Sequence, residues 1–297
     1  MGISKEGIKE FARGLGMDMC GIAGMDRFAE SPKGRHPTDV LPGCKSVIVI
    51  GVRLLDGVVQ ANFRAFEDGR RDLKGIYGTY GYAMLPNFEL TYACYAIARK
   101  LEIETGMPTT PCSTGPMTNG AQVSVRHSAV AAGLGLLGWS GLVLTPEFGA
   151  RNRFGVILTT LELEQDPMYE GKQLCNPEKC GICTKACPAG AISKYGDEPH
   201  YCFTMDGKKM DYCKLDMNKC QIGTLGLTKE LGDNNDYIFT TEPTAQDIRE
   251  AQERMPVSVM GLQHVNSWNC GKCQSYCPAG NWGEHFKKTG LSKGIGG

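Results

Sequence analysis

Ten of the 14 cysteines in this 297-residue chain fall between Cys175 and Cys277, seven of them in two matching runs. The first is Cys175-x4-Cys180-x2-Cys183-x3-Cys187-Pro188, and the second is Cys270-x2-Cys273-x3-Cys277-Pro278. Two residues between thiolates let the chain wrap a metal cluster with backbone N–H groups aimed at its sulfurs. The three-residue gap before Cys-Pro carries the last thiolate away, and in bacterial two-cluster ferredoxins that thiolate ligates the other cluster. Applied here, one [4Fe–4S] cluster takes Cys175, Cys180, Cys183 and Cys277. The other takes Cys187, Cys270 and Cys273 and needs a fourth ligand, for which Cys220, Cys213 and Cys202 are the candidates. Cys220 is favoured because a helix-like segment follows it and would fix it. A zinc ribbon built on Cys-x2-Cys pairs is the plain alternative; the Cys-Pro endings and the interlocked count speak against it. The remaining cysteines read as small buried hydrophobes.

Other residues with chemical capacity lie earlier. Gly133-Leu-Gly135-Leu-Leu-Gly138 spells a dinucleotide fingerprint, but such a loop must follow a strand and open a helix. Here Ser128 to Ala132 reads as a helix before it and Gly141 to Leu144 as a strand after it, so NAD binding is rejected. Gly133 and Gly135 instead allow close approach of another element or of a large flat ligand. Arg126 and His127 precede this loop; His titrates near neutrality and can donate a proton, although a lone His is more often structural. Tyr77, Tyr80 and Tyr82, interleaved with Gly75, Gly78 and Gly81, form either a packed turn or a wall against a planar cofactor. Arg151 and Arg153 are a solvated turn or anion contacts.

The elements that must position these groups alternate between helix and strand. Ile8, Phe11, Ala12 and Leu15 recur at helical spacing, and Gly16 stops that helix. Ser46-Val-Ile-Val-Ile-Gly-Val52 is a β-branched run suited to a strand buried on both faces. Asn87 can cap a helix whose stripe is Leu90, Ala93, Cys94, Ile97 and Leu101, ending near Gly106. Leu142 to Leu144 and Phe154 to Leu158 read as strands joined by a polar turn. The cysteine-rich part is loop-rich, with one clear helix from Thr244 to Arg254, and bound clusters would staple it. The compositional shift puts a boundary near Gln165, dividing the chain into 1–165 and 166–297.

Composition is globular, with 41% apolar and 22% charged residues, and 32 basic side chains balance 32 acidic ones. That balance weakens any broad nucleic-acid surface. No apolar stretch is long enough to span a membrane, and the N-terminus shows no signal-peptide pattern, so a cytoplasmic protein is expected.

With these motifs in place, the segments His36-Pro-Thr-Asp-Val-Leu-Pro-Gly-Cys-Lys-Ser-Val-Ile-Val49 and Ala132-Gly-Leu-Gly-Leu-Leu-Gly138 and the two cysteine runs resemble one superfamily, that of epoxyqueuosine reductases and reductive dehalogenases. The resemblance runs from about Leu15 to Pro278. It implies an α+β chain in which a nitroreductase-like cobalamin-binding domain precedes a ferredoxin-like double [4Fe–4S] domain. It also implies that Asn218-Lys-Cys220-Gln-Ile-Gly holds the isolated fourth ligand. By the same resemblance Ser140, Val143, Phe154, Ile222, Gly271 and Lys272 line the corrin ring, and Tyr82, Gly133, Gly135 and Arg153 join them as candidate cofactor contacts. The resemblance implies that the cobalamin is base-off, and no Asp-x-His-x-x-Gly occurs, which excludes the methyltransferase-type His-on mode.

The chain departs from the family in instructive ways. Epoxyqueuosine reductases carry an acid about thirteen residues before the glycine loop, where this chain has Asn119, which cannot deliver a proton as a carboxylic acid does. The first run has x4 where the family has x2, and neither added tRNA-binding helices nor an export signal is seen. The expected function is a cobalamin-dependent iron–sulfur reductase. Electrons from a ferredoxin- or flavodoxin-type donor pass through two clusters to a corrinoid that reduces a small-molecule substrate, with His127, Arg126 and Tyr80 as candidate catalytic groups. Two other readings stand beside it: a non-catalytic electron carrier or corrinoid-handling protein, and a true epoxyqueuosine reductase. Neutral net charge argues against tRNA as a partner.

Overall fold

The β-branched run at Ser46 forms the strand on which the chain is built. In a computed structural model, which describes residues 3–82, 84–112, 122–227, 242–254 and 269–280, it is β2 (Ser46–Arg53) of a four-stranded sheet. The strands are β1 (Met19–Gly24), β2, β3 (Thr109–Cys112), the short pair β4 (Leu136–Leu137) and β5 (Val143–Leu144), β6 (Asn152–Thr159), β7 (His200–Met205) and β8 (Lys208–Cys213). The sheet runs β1-β2-β6-β3, antiparallel throughout, with Ile22 opposite Ile48 and Ile48 opposite Ile157.

Helices in chain order are α1 (Lys5–Gly14), α2 (Pro37–Val40), α3 (Asp56–Glu67), α4 (Lys74–Tyr77), α5 (Leu85–Thr105), α6 (Val125–Ala131), α7 (Ile182–Ala186), α8 (Met217–Leu225), α9 (Ala245–Arg254) and α10 (Lys272–Ser275). Both faces of the sheet are covered, which is why β2 is apolar without alternation. On one face Ile22, Ile48, Ile50 and Ile157 pack with Ile8 and Ala12 of α1 and with Leu90, Cys94, Ile97 and Leu101 of α5. On the other, Val47, Val49, Val156 and Leu158 pack with α6 and with Met205, Met210 and Tyr212 of the β7–β8 hairpin. That hairpin closes on Asp206 and Gly207, both at positive φ, as a tight two-residue turn requires.

Local expectations hold for most elements, with three differences. Helix α5 begins at Leu85, with Pro86 in its first turn, where a missing N–H costs nothing; Asn87 therefore lies inside the helix and not at its cap. The helix ends at Gly106, φ 69°, as expected. The strands on either side of the polar turn form but do not pair: β5 joins β4, and β6 joins the main sheet. The segment after residue 165 adds Met168 and the hairpin to the core of the first part, while residues 171–190 contain no fully buried side chain. Among the described residues no helix is long and apolar enough to cross a membrane.

Candidate metal centres and the cavity beside them

The fold gathers the cysteines into two sets of four, each drawn from both runs. Cys175, Cys180 and Cys183 are electrostatic neighbours, and Cys277 lies beside Cys175 and Cys183. All four line one cavity of about 490 Å³. Cys187, Cys220, Cys270 and Cys273 are neighbours in turn and line a second cavity of about 200 Å³. Sets of soft thiol donors spaced around a cavity suit a cuboidal iron–sulfur cluster. Burial pushes the Cys270 thiol up to about 12 and the Cys277 thiol to about 11, and it raises Cys273 well above its ordinary value. Bare thiolates are penalised there, and a bound metal cluster would make four of them tenable. Cys213, the rival of Cys220, is buried with Trp139 and Ile192 beside Cys183 and Cys187 but lines neither cavity, and Cys202 is exposed on β7.

The same local geometry presents each Cys-x2-Cys pair. Gly181 (φ 61°, ψ 8°) and Gly271 (φ 62°, ψ 12°) each follow a cysteine in a left-handed conformation and open the short helices α7 and α10, which pack together. Backbone N–H groups then reach the sulfurs: that of Lys272 faces Cys270, that of Ala279 faces Cys277, and that of Ala191 donates to Cys187 Sγ at 3.2 Å.

Four residues of the first part anchor the second run, and none was singled out for that role by local sequence. Asn62 on α3 donates from Nδ2 to the Cys270 carbonyl at 3.0 Å and to Ser275 Oγ at 2.8 Å. The buried Tyr77 hydroxyl donates to Gln274 Oε1 at 2.8 Å, and Gln274 Nε2 donates to the Ala150 carbonyl at 2.7 Å. Arg151, only 2% exposed, donates from its two terminal nitrogens to the carbonyls of Cys277 and Ala279, each at 2.6 Å. Arg151 is thus neither a solvated turn residue nor an anion contact. Its partners lie 126 and 128 residues away, beyond the reach of any local pattern.

Beside the second thiol set the cavity wall is completed by Arg126, Ser140, Arg153 and Gly271. Arg126 donates to the Gly141 carbonyl at 2.8 Å, and Arg153 reaches the Gly81 carbonyl at 3.5 Å. His127 is not part of this wall. Its ring sits against Phe203 and Tyr212 of the hairpin, and burial, with Arg126 adding to it, lowers its pKa to about 4. Val143 and Phe154 belong to the sheet core, and Ile222 packs with Leu225, Leu227 and Ile248. Lys272 lies over the rings of Phe66 and Tyr276, away from the cavity. Tyr80 is 52% exposed on the π-helical turn Gly78–Tyr82; the Tyr82 side chain and Asn119 lie outside the described residues.

The glycine loop has a packing explanation. A Cβ on Gly133 would overlap the Pro167 carbonyl, one on Gly135 the Leu144 carbonyl, and one on Gly138 the Leu144 side chain. Of the two uses expected for these glycines, close approach of another element is the one seen. At about 200 Å³ the second cavity is far smaller than a corrin ring. Of the residues expected to contact such a ring, Ser140, Arg153 and Gly271 line this cavity.

No family model matches the chain. Over 138 residues, 44% of this chain, it is 36% identical to the tetrachloroethene reductive dehalogenase of Desulfitobacterium hafniense, of which it covers 23%. Over 281 residues, 89% of this chain, it is 27% identical to the epoxyqueuosine reductase of Gloeobacter violaceus, of which it covers 67%. The fold matches an epoxyqueuosine reductase solved with an epoxyqueuosine-modified tRNA stem loop, at a TM-score of 0.56 and 20% identity, over 98% of this chain and 66% of that one. It also matches a reductive dehalogenase whose structure suggests a mechanism for B12-dependent dehalogenation, at 0.50 and 18%, over 83% of this chain and 33% of that one. The chain therefore spans under a quarter of the first relative's length and about two-thirds of the second's. In sequence and in mixed α/β fold it is a homologue of two kinds of oxidoreductase, the reductive dehalogenases and the epoxyqueuosine reductases.

Proposed function

We propose that the chain is an iron–sulfur reductase with two [4Fe–4S] clusters, one held by Cys175, Cys180, Cys183 and Cys277 and the other by Cys187, Cys220, Cys270 and Cys273. The observation that carries this reading is the interlocking of the two thiol sets, with the second set opening on the cavity bordered by Arg126, Ser140 and Arg153. When bound, the clusters supply stored single electrons at low potential. The chain's own residues do the rest. Cys270 and Cys273 are half-buried, backbone N–H groups stabilise the thiolates, and Arg151 holds the Cys277 segment in place. The planar guanidinium groups of Arg126 and Arg153 suit them to orienting a polar or anionic substrate by hydrogen bonding. His127 is neutral and turned to the hairpin, which leaves Tyr80 as the phenolic donor nearest the expected role.

A base-off corrinoid that reduces a small molecule is the acceptor we infer from the dehalogenase similarity, with Arg126, Ser140, Arg153 and Gly271 as its neighbours in this chain. A second reading, an epoxyqueuosine reductase acting on tRNA, is supported by similarity along nearly the whole chain. Anaerobic reconstitution with iron, sulfide and cobalamin separates the readings. About eight irons and eight sulfides per chain are expected, with a bound Co(II) corrinoid whose EPR spectrum lacks nitrogen superhyperfine splitting. Stoichiometric zinc without labile sulfide overturns the cluster assignment. Loaded clusters without corrinoid leave an electron carrier, and tight structure-specific binding of a tRNA stem loop favours the second reading.

A further inference from the structure

The two thiol sets differ in their surroundings, and the difference gives electron flow a direction. The first set is framed by residues 175–185, a stretch without one fully buried side chain. The second set is backed by the buried Gln274 and Ser275 and by the α/β part. The mouth of the first cavity carries Lys179, Lys185 and Lys194, all exposed, against a single acid, Glu178. None of these lysines forms an ion pair with a described residue. The bias stands out in a chain whose 32 basic and 32 acidic residues cancel. Tyr195, 41% exposed, lines the same mouth and packs edge-on against Trp139, which forms with Ile192 and Cys213 a buried cluster against which cysteines of both sets pack.

Resting on the iron–sulfur reading above, we propose that Lys179, Lys185 and Lys194 form the docking face for an acidic one-electron carrier protein of ferredoxin or flavodoxin type, which delivers electrons to the first cluster. Unpaired ammonium groups around a cluster mouth attract an acidic partner and orient it with its own redox centre toward the thiols. A polyanion such as tRNA would feel the same charge. The lysines, however, line the first cavity and not the arginine-bordered cavity where substrate is expected.

The test is stopped-flow reduction of the cluster-loaded protein by a photoreduced acidic ferredoxin, compared with reduction by photoreduced deazaflavin, a small donor that needs no docking. In the Lys179→Glu, Lys185→Glu, Lys194→Glu variant the ferredoxin rate constant at low salt should fall by about 10- to 100-fold, with the deazaflavin rate unchanged. The wild-type ferredoxin rate should itself fall steeply as salt is raised, and that measurement stands if the triple variant loads iron poorly. An unchanged ferredoxin rate in an iron-replete variant, or a salt-independent wild-type rate, overturns the proposal and leaves the cluster assignment intact. Loss of tRNA stem-loop binding with the ferredoxin rate retained overturns it in favour of an RNA surface. Failure of the wild type to take up iron strikes instead at the reading on which the proposal rests.

Discussion

At Cys220 the thiol is carried on the second turn of α8, four residues from Thr224, whose hydroxyl bonds to it, and it faces Cys187. A ligand so placed answers for one cluster only. Cys220→Ala should therefore lose about half of the iron on reconstitution, whereas Cys213→Ala, which removes a thiol packed against Trp139, should keep all of it. Iron and sulfide analysis decides, and the opposite pattern would transfer the ligand role to Cys213. His127 makes a different prediction, about pH. Its folded value of about 4 lies below its ordinary 6.5, chiefly through burial and then through Arg126, while the ring Nε2 shares a hydrogen bond with the Tyr212 hydroxyl. The unfolded chain thus takes up the proton first as pH falls, so the stability due to neutral His127 is complete above 6.5 and is lost toward 4. Between pH 7 and 5 this amounts to roughly 2 kcal/mol. His127→Gln should flatten that loss in chemical denaturation of the loaded protein; an unchanged slope would show that the ring is not buried neutral. Ligand spacing is a local property, so the thiols were legible in sequence. The direction of the His127 ring and the target of Arg151 depend on segments far away in the chain, and no local spacing carries them.

At the level of elements, two helices with one backbone geometry meet different neighbours. Gly181 has open space where a Cβ would stand, so Gly181→Ala meets only the left-handed backbone penalty of about 1–2 kcal/mol. At Gly271 the added methyl would overlap the Tyr77 phenol, which is fully buried and tied to Gln274. That variant carries the same backbone penalty plus an overpacking cost of about 1–3 kcal/mol. Gly181→Ala should load both clusters, and Gly271→Ala should lose the second one first, as read by iron content and by the denaturation midpoint. Equal behaviour of the two variants would mean that the Tyr77 contact does not constrain α10. Elements whose pattern is internal, such as β2 with its unbroken β-branched run and α5 with its stripe, were readable from sequence, α5 to within a few residues of its start. The pairing of β6 with β2 and β3, and not with its neighbour β5, was not readable, because register is set by partners that no local pattern names.

Taken whole, the molecule is held together by two kinds of adhesive with little overlap. The sheet and its covering helices bury a continuous apolar core that contains none of the eight proposed ligands. Residues 171–190 have no such core, so in the proposed reading the first cluster organises them. The second run is intermediate: besides its thiols, it has the bonds from Asn62, Tyr77 and Arg151 and the buried Gln274 and Ser275. Removing iron by anaerobic chelation should therefore produce graded loosening and not global unfolding. In hydrogen exchange, amides of β2 and β6 should keep their protection, those of 175–190 should exchange at nearly unprotected rates, and those of 269–280 should fall between. Arg151→Ala should then move 277–280 toward the behaviour of 175–190, since two carbonyl anchors go with the guanidinium. If chelation instead strips protection from the sheet as well, the cysteine-rich part supports the core more than its contacts indicate, and the division of labour argued here fails.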